Sequence, residues 1–135
     1  MSTRIYRTES EKSVAQFVAA FGQIAATRGF TIHNEDKMEM AHIFGAHGAE
    51  VAESFDLHMV QVCKPVKAAR SLEKNPERAV LMPKFVIAFS RDGKTQVRML
   101  KYGNELIAEL VDDEEFPGSL EESFATLTTL IDAAI

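Results

Sequence analysis

The sequence predicts a mixed α+β domain with helices packed against one sheet, and three observations carry that prediction. Two long apolar runs, Phe55–Cys63 and Val80–Phe89, read as strands, joined by a helix that Pro65 opens. Upstream, Val14, Phe17, Val18, Phe21, Ile24 and Ala25 recur at the period of a helix with one apolar face. Downstream, Arg91-Asp92-Gly93-Lys94 separates two β-prone runs as a hairpin turn.

Taken in order, Ile5–Thr8 is a short strand. Thr8 with Glu11 fits a capping box for the first helix, and Ser10 is an alternative cap. Gly29 closes that helix, because a residue without Cβ adopts the left-handed terminal conformation cheaply. Phe30–Asn34 is a second, brief strand. Asp36 with Glu39 starts a helix whose inner face would be Met40, Ile43, Phe44 and His47, weakened by Gly45 and Gly48. A mobile connection is expected through Ala49–Ser54.

Phe55–Cys63 is apolar on both sides, with Phe55, Leu57, Met59 and Cys63 on one and Val60 and Val62 on the other. Such a strand is expected to be central and covered above and below. In the helix after Pro65, Val66, Ala69 and Leu72 should face inward, and Asn75-Pro76 should end it. Pro83 cannot donate to a ladder, so it marks a bulge, an edge or the true start of the next strand. In the return strand Gln96–Tyr102, Val97 and Met99 face one way and Arg98 and Leu100 the other. Asn104 caps a short helix through Leu110, and Asp112–Pro117 is an acidic loop. Ser119 with Glu122 boxes the final helix, whose inward stripe is Leu120, Phe124, Leu127 and Ile131. The order is β-α-β-(α)-β-α-β-β-α-α, one domain over residues 1–135 with no repeat and no linker.

Composition narrows the function classes. The chain is 46% hydrophobic and 26% charged, with nine Phe and no Trp to give the core its bulk. A net charge of −5 argues against a phosphate-neutralising surface, so nucleic acid is not an expected partner. No apolar run approaches the roughly 20 residues that cross a bilayer, and Met1-Ser2-Thr3-Arg4 does not open a secretory signal. One cysteine forms no internal disulfide, which fits a reducing compartment and a cytoplasmic location.

The segment Val60–Met99 resembles domain-of-unknown-function family 302. The resemblance rests on the strand-to-helix joint Val62-Cys63-Lys64-Pro65, similar to that family's Cys-Asn-Pro joint. It rests also on Asn75-Pro76, on Leu81-Met82-Pro83-Lys84 before the strand Phe85–Phe89, and on the opening helix Ser10–Arg28 with Gly29-Phe30. The resemblance implies a small α+β homodimer without an assigned activity. One position departs: the family often has a cysteine where this chain has Lys84, which argues against two-thiol chemistry here.

Three constellations are candidates for chemistry. Cys63 ends a strand just before a helix N-terminus, where the dipole, the free N–H groups and Lys64 favour a thiolate, and Lys84 would lie at the neighbouring joint. Cys63 is equally a small buried apolar residue, as free cysteines commonly are. The second constellation is basic. Lys67, Arg70 and Lys74 share a helix face, joined by Lys64, Arg78 and Lys84; residues 64–84 carry a local +4 against −9 for the rest. Such a patch suits a small anion or an acidic partner, the block Asp112–Glu115 among them, or is simply a solvated face. The third is His33, His42, His47 and His58 with Met38 and Met40. His42 and His47 stand about 140° apart around a helix, and His58 and Cys63 lie on opposite sides of one strand, so no metal site is expected. No phosphate loop, nucleophile elbow or zinc-protease motif is present, and no cofactor is implied.

The sequence thus points to a dimeric module that binds a small anionic ligand or a protein partner. Its pocket would lie at the joints Cys63–Lys67 and Met82–Phe85, with Lys64, Pro65, Lys67, Pro83 and Lys84 as ligand-binding residues. The alternative is a thiol-dependent enzyme or sulfur carrier with Cys63 as catalytic residue.

Overall fold

In a computed structural model, which describes residues 2–135, the order of elements is the expected one with a 3-10 segment added. Strand β1 (Arg4–Ser10) leads to helix α1 (Val14–Ala26), the two-residue β2 (Thr31–Ile32) and α2 (Met40–Ala46). Then come β3 (Leu57–Cys63), α3 (Pro65–Lys74), the 3-10 segment Pro76–Leu81, β4 (Lys84–Arg91), β5 (Lys94–Lys101), α4 (Asn104–Leu110) and α5 (Phe116–Ala134). The strands form one antiparallel sheet in the order β1-β5-β4-β3-β2. Pro83 sits just before β4, so the strand starts after it, and Val80 and Leu81 belong to the 3-10 segment instead.

One face of the sheet is buried. Val60, Val62, Val86, Ala88, Val97 and Met99 meet Phe17, Phe21, Phe124, Leu127 and Ile131 of α1 and α5 in a single core. On the other face Leu57, Met59, Ile87 and Phe89 are only partly covered, and Ile5, Phe85 and Leu100 are exposed. The expectation that β3 is covered above and below is therefore corrected: an antiparallel sheet can leave one face to water, and this one does. The hairpin between β4 and β5 turns on Asp92 and Gly93, both left-handed at φ 55° and 77°, the two-residue turn that matches strand twist.

Several local expectations shift for identifiable reasons. The capping box of α1 is Ser13 with Gln16, each side chain bonded to the other's backbone, and neither Thr8 with Glu11 nor Ser10. Thr8 and Ser10 belong to β1, where pairing with Val97 and Thr95 of β5 extends the strand past the expected start of the helix. Ser13→Ala should lower stability by about 1 kcal/mol, and Glu11→Ala by less than about 0.5 kcal/mol; urea titration of the two variants checks the assignment. Helix α2 is capped by Glu39, whose carboxylate accepts from the Ala41 and His42 N–H groups, but none of its residues is buried. Met40, Ile43 and Phe44 are half-covered and His47 is exposed, because the helix lies at the sheet's edge beside β3 instead of on the core. Residues 49–54 are exposed and irregular.

Helix α3 is rolled relative to its apolar pattern. Val66 is 66% exposed and Ala69 is exposed, whereas Ser71 is buried and Lys67, Ala68 and Leu72 are half-buried. The partner surface is polar, which explains the roll. Lys67 Nζ donates to the Ser119 carbonyl at 3.1 Å and to Ser123 Oγ at 2.9 Å, and Ser71 Oγ accepts from Arg78 at 2.9 Å. Three polar contacts outweigh the burial of one valine and one alanine. The cap of α4 is Gly103, with Asn104 as its first residue.

Helix α5 begins at Phe116, three residues ahead of the expected Ser119–Glu122 box, and Ser119 lies inside it. Its start is set by Asp113, whose Oδ1 accepts from the Glu115 and Phe116 N–H groups at 3.0 and 2.9 Å. Asp113 in turn takes two bonds from Arg78 and one from Asn75, so the acidic stretch is anchored and Asp113 is not part of an exposed loop. At the other end of α5, Lys12 Nζ and Ser10 Oγ donate to the Ala134 and Ile135 carbonyls, and Tyr6 donates to Asp132. A cation at a helix C-terminus suits the dipole, and these bonds tie β1 to α5.

Candidate functional site

The site lies where four pieces of chain converge: the end of β3, the first turns of α3, the start of β4 and the N-terminal half of α5. Cys63, Lys64, Lys67, Ala68, Ser71, Met82, Lys84, Ser119 and Ser123 line a small hollow floored by Phe30, Phe116 and Leu120. The expected joints therefore do meet, at Cys63, Lys64, Lys67, Met82 and Lys84. Pro65, Pro83 and Phe85 are not in its wall: Pro65 and Pro83 are exposed and shape the turns, and Phe85 points to the open side of the sheet.

Register explains why Lys84 is inside. It pairs with Val62 and shares the side of β4 that holds Val86 and Ala88, the core side, so its stem runs under α5 and only 8% of the residue is exposed. Its Nζ donates to the Met82 carbonyl at 3.3 Å and stands 5.9 Å from the centre of the Phe124 ring. An ammonium has three donors, so most of this one's hydrogen-bonding capacity faces the hollow. Burial pulls its pKa down from 10.5 to about 8; the nearby Cys63 opposes that, and the Lys67 charge adds to it. Lys67 is also held below the usual lysine range, chiefly by burial, with Glu122 opposing and Lys64 contributing.

Lys64 reaches the same place from the N-cap position of α3, where it makes no side-chain cap bond. Its Nζ lies 5.6 Å from the centre of the Phe30 ring, and its stem crosses Gly29. A Cβ at Gly29 would meet Lys64 Cε at 3.3 Å, and φ there is +81°, so glycine both closes α1 and leaves room for the lysine. Cys63 is half-buried and free. It is one of the residues in the hollow's wall.

The hollow itself measures about 20 Å³, room for a water molecule. It adjoins an outer cleft of about 390 Å³, with which it shares Lys64, Lys67, Ser71 and Ser119. Arg70, Lys74 and Arg78 also line the outer cleft, so the expected basic face exists. Part of its charge is already matched within the chain: Lys74 pairs with Glu115 at 3.3 Å and Arg78 with Asp113 at 2.6 Å. The inner hollow differs. Among the described residues, three lysines and no carboxylate line it.

The α5 contribution is what sequence reasoning missed. Ser119 and Ser123 are hydroxyls four apart, one position ahead of the apolar Leu120 and Phe124, and that pairing is the signal that could have found them. The histidines do not converge. His58 is buried with Nδ1 3.7 Å from Asp56, and among the described residues no three His, Cys, Asp or Glu side chains come together in a metal-holding arrangement.

Comparison with known proteins adds fold and family. The chain superposes on the crystal structure of an uncharacterized conserved protein DUF302 from Bacillus stearothermophilus with a TM-score of 0.79 and 17% identity, covering 97% of this chain and 98% of that one. That likeness shows a shared fold. No curated protein matches. The profile of the domain of unknown function DUF302 matches residues 6–134, a wider span than the stretch from Ser10 to about residue 100 that carries the resemblance. With nearly the whole chain inside that match, the protein belongs to the DUF302 family, whose function is unknown.

Proposed function

We propose that the protein is a non-catalytic module that binds a small anion where the hollow between β3, α3, β4 and α5 opens into the outer cleft, the hollow alone having room only for a water molecule. One observation carries this reading: Lys64, Lys67 and Lys84 face a hollow with no carboxylate among its described lining residues. A buried ammonium is costly unless an opposite charge or several hydrogen bonds compensate it, and Lys84 has one long bond to a carbonyl. An anion would supply what is missing and take charge-assisted bonds from Lys67 and Lys84. Ser119 and Ser123 would complete its shell.

Sulfate is a suitable probe, because its charge is constant across the working range. Its affinity should fall about tenfold or more as pH rises through about 8 and Lys84 loses its proton, since a bond to a charged donor is worth about 1.5–3 kcal/mol. Calorimetric titration at pH 6.5 and pH 9.5 reads this directly. An affinity that is flat across that range, or no binding at all, removes the reading.

A homodimer and a cytoplasmic location belong to the same proposal. The family resemblance implies the dimer, and the apolar residues Ile5, Phe85 and Leu100 on the open sheet face offer it a surface. Light scattering should then give twice the 15.0 kDa chain mass, and a species of chain mass alone would exclude it. A second reading, Cys63 as a thiolate nucleophile or sulfur carrier, is favoured by Cys63 and Lys84 lining the same hollow. Alkylation rates across pH separate the two readings. An apparent thiol pKa well below the free value of about 8.5 supports the second, and slow labelling until denaturation supports the first.

A further inference from the structure

We propose that the ligand is a carbonyl compound bearing a carboxylate, an α-keto acid or aldehyde acid, and that Lys84 Nζ bonds to its carbonyl carbon as an imine. The inference rests on the anion-binding reading and narrows it. Lysine is an odd choice for binding alone at this position. A side chain on the core side of β4, 8% exposed, gives up most of its hydration, and arginine would hold an oxyanion with more donors. The feature that a buried lysine alone supplies is an amine that can lose its proton and attack.

The surroundings meet the requirements of that chemistry. An amine is made nucleophilic by desolvation or by a neighbouring cation, and Lys84 has both, with Lys67 beside it and Phe124 over its end. The depressed pKa of about 8 leaves a useful fraction unprotonated near neutrality. Lys64 and Lys67, at the mouth toward the outer cleft, are placed to hold the carboxylate, and the carbonyl next to it would then face inward to Lys84. Chemically the step is a condensation: the amine nitrogen forms a bond to the carbonyl carbon, and the carbonyl oxygen leaves as water with the two amine hydrogens. No oxidant, reductant or metal is needed. Ser119 and Ser123 belong to the same wall, and their hydroxyls can pass protons to the departing oxygen.

Borohydride trapping tests this. The whole protein is incubated with pyruvate, reduced with sodium borohydride, and mapped by peptide mass spectrometry, with acetone as a neutral carbonyl control and sulfate as a competitor. The expected result is one reduced adduct on the peptide containing Lys84, formed with pyruvate and not with acetone, suppressed by sulfate, and increasing in yield as pH rises toward 8. Lys84→Arg should keep sulfate binding and lose the adduct; if that variant does not fold, the wild-type peptide map alone decides. Adducts scattered over exposed lysines such as Lys37 and Lys74 overturn the inference. Sulfate binding without any adduct overturns it too, and leaves the anion site standing. Loss of both removes the anion reading as well.

Discussion

Lys84→Met should make the unliganded protein more stable and unable to bind sulfate. The depression of the lysine from 10.5 to about 8 corresponds to about 3 kcal/mol of folding free energy lost by keeping an ammonium in that hollow. Methionine keeps a similar length and removes the charge, while the hydrogen bond to the Met82 carbonyl and the approach to Phe124 are lost. A net gain of about 2 kcal/mol is expected at pH 7, in line with buried charges replaced by apolar groups of like volume. The sign fixes the pH dependence. The folded state holds this proton less tightly than the unfolded chain, so the penalty is fully present below pH 8 and is relieved as pH rises from about 8 to 10.5. The stability gap between variant and wild type should therefore be widest in neutral solution and close in strong alkali. Urea titrations across that range decide the matter: a variant that is less stable than wild type at pH 7 contradicts the account. The proposed anion site would give the costly residue a reason to be there, since a site that holds an anion keeps a charge that folding alone would discard.

What the sequence revealed and what it hid divide along the range of the interactions. The β4–β5 hairpin, the alternation of Val97 and Met99 with Arg98 and Leu100, and the end of α1 at Gly29 depend on neighbours within a few residues, and those features were legible. The apolar stripe of α5 was legible for the same reason: Leu120, Phe124, Leu127 and Ile131 are all buried. The roll of α3 was not. Its inward face is chosen by Ser119 and Ser123, more than fifty residues away in sequence. No local pattern announces that Lys67 will turn in and Val66 out.

The candidate site was half legible. That Cys63 and Lys84 sit at neighbouring joints follows from pairing two adjacent apolar strands. That Lys84 points into the protein follows from parity with Val86 and Ala88, once Pro83 is taken as the residue before the strand and not inside it. The α5 wall of the hollow was out of reach, because it depends on where that helix begins. A local box at Ser119 and Glu122 looks sufficient by itself. It loses to an N-cap four residues earlier, at Glu115, where Asp113 accepts from the Glu115 and Phe116 N–H groups while held by Arg78.

That pair should be the most damaging place to mutate outside the core. Arg78 and Asp113 have side chains only 6% and 7% exposed, joined through Nε–Oδ2 at 2.6 Å and Nη2–Oδ1 at 2.9 Å, the two-pronged geometry that makes such pairs strong. Asn75 and the N–H groups of Glu115 and Phe116 take the remaining acceptor capacity, and Ser71 accepts from Arg78 Nη1. Removing the guanidinium leaves a buried carboxylate with only neutral partners. Arg78→Met should therefore be destabilising, lowering the melting temperature by roughly 10 °C or more. Asp113→Asn should act in the same direction and also weaken the start of α5. The hydrogen bonds from Arg78, then Asn75, hold the Asp113 carboxyl well below its ordinary 3.8, so the pair's contribution is fully present above that value. It is lost as pH falls below 3.8 toward the depressed value. Wild type and Arg78→Met should thus differ most near neutrality, and the gap should narrow progressively as pH falls below 3.8. Because α5 carries Ser119 and Ser123, the same variant should weaken sulfate binding without touching Lys84. A gap that stays constant from neutral to strongly acidic solution would show that the two residues are neighbours without being coupled.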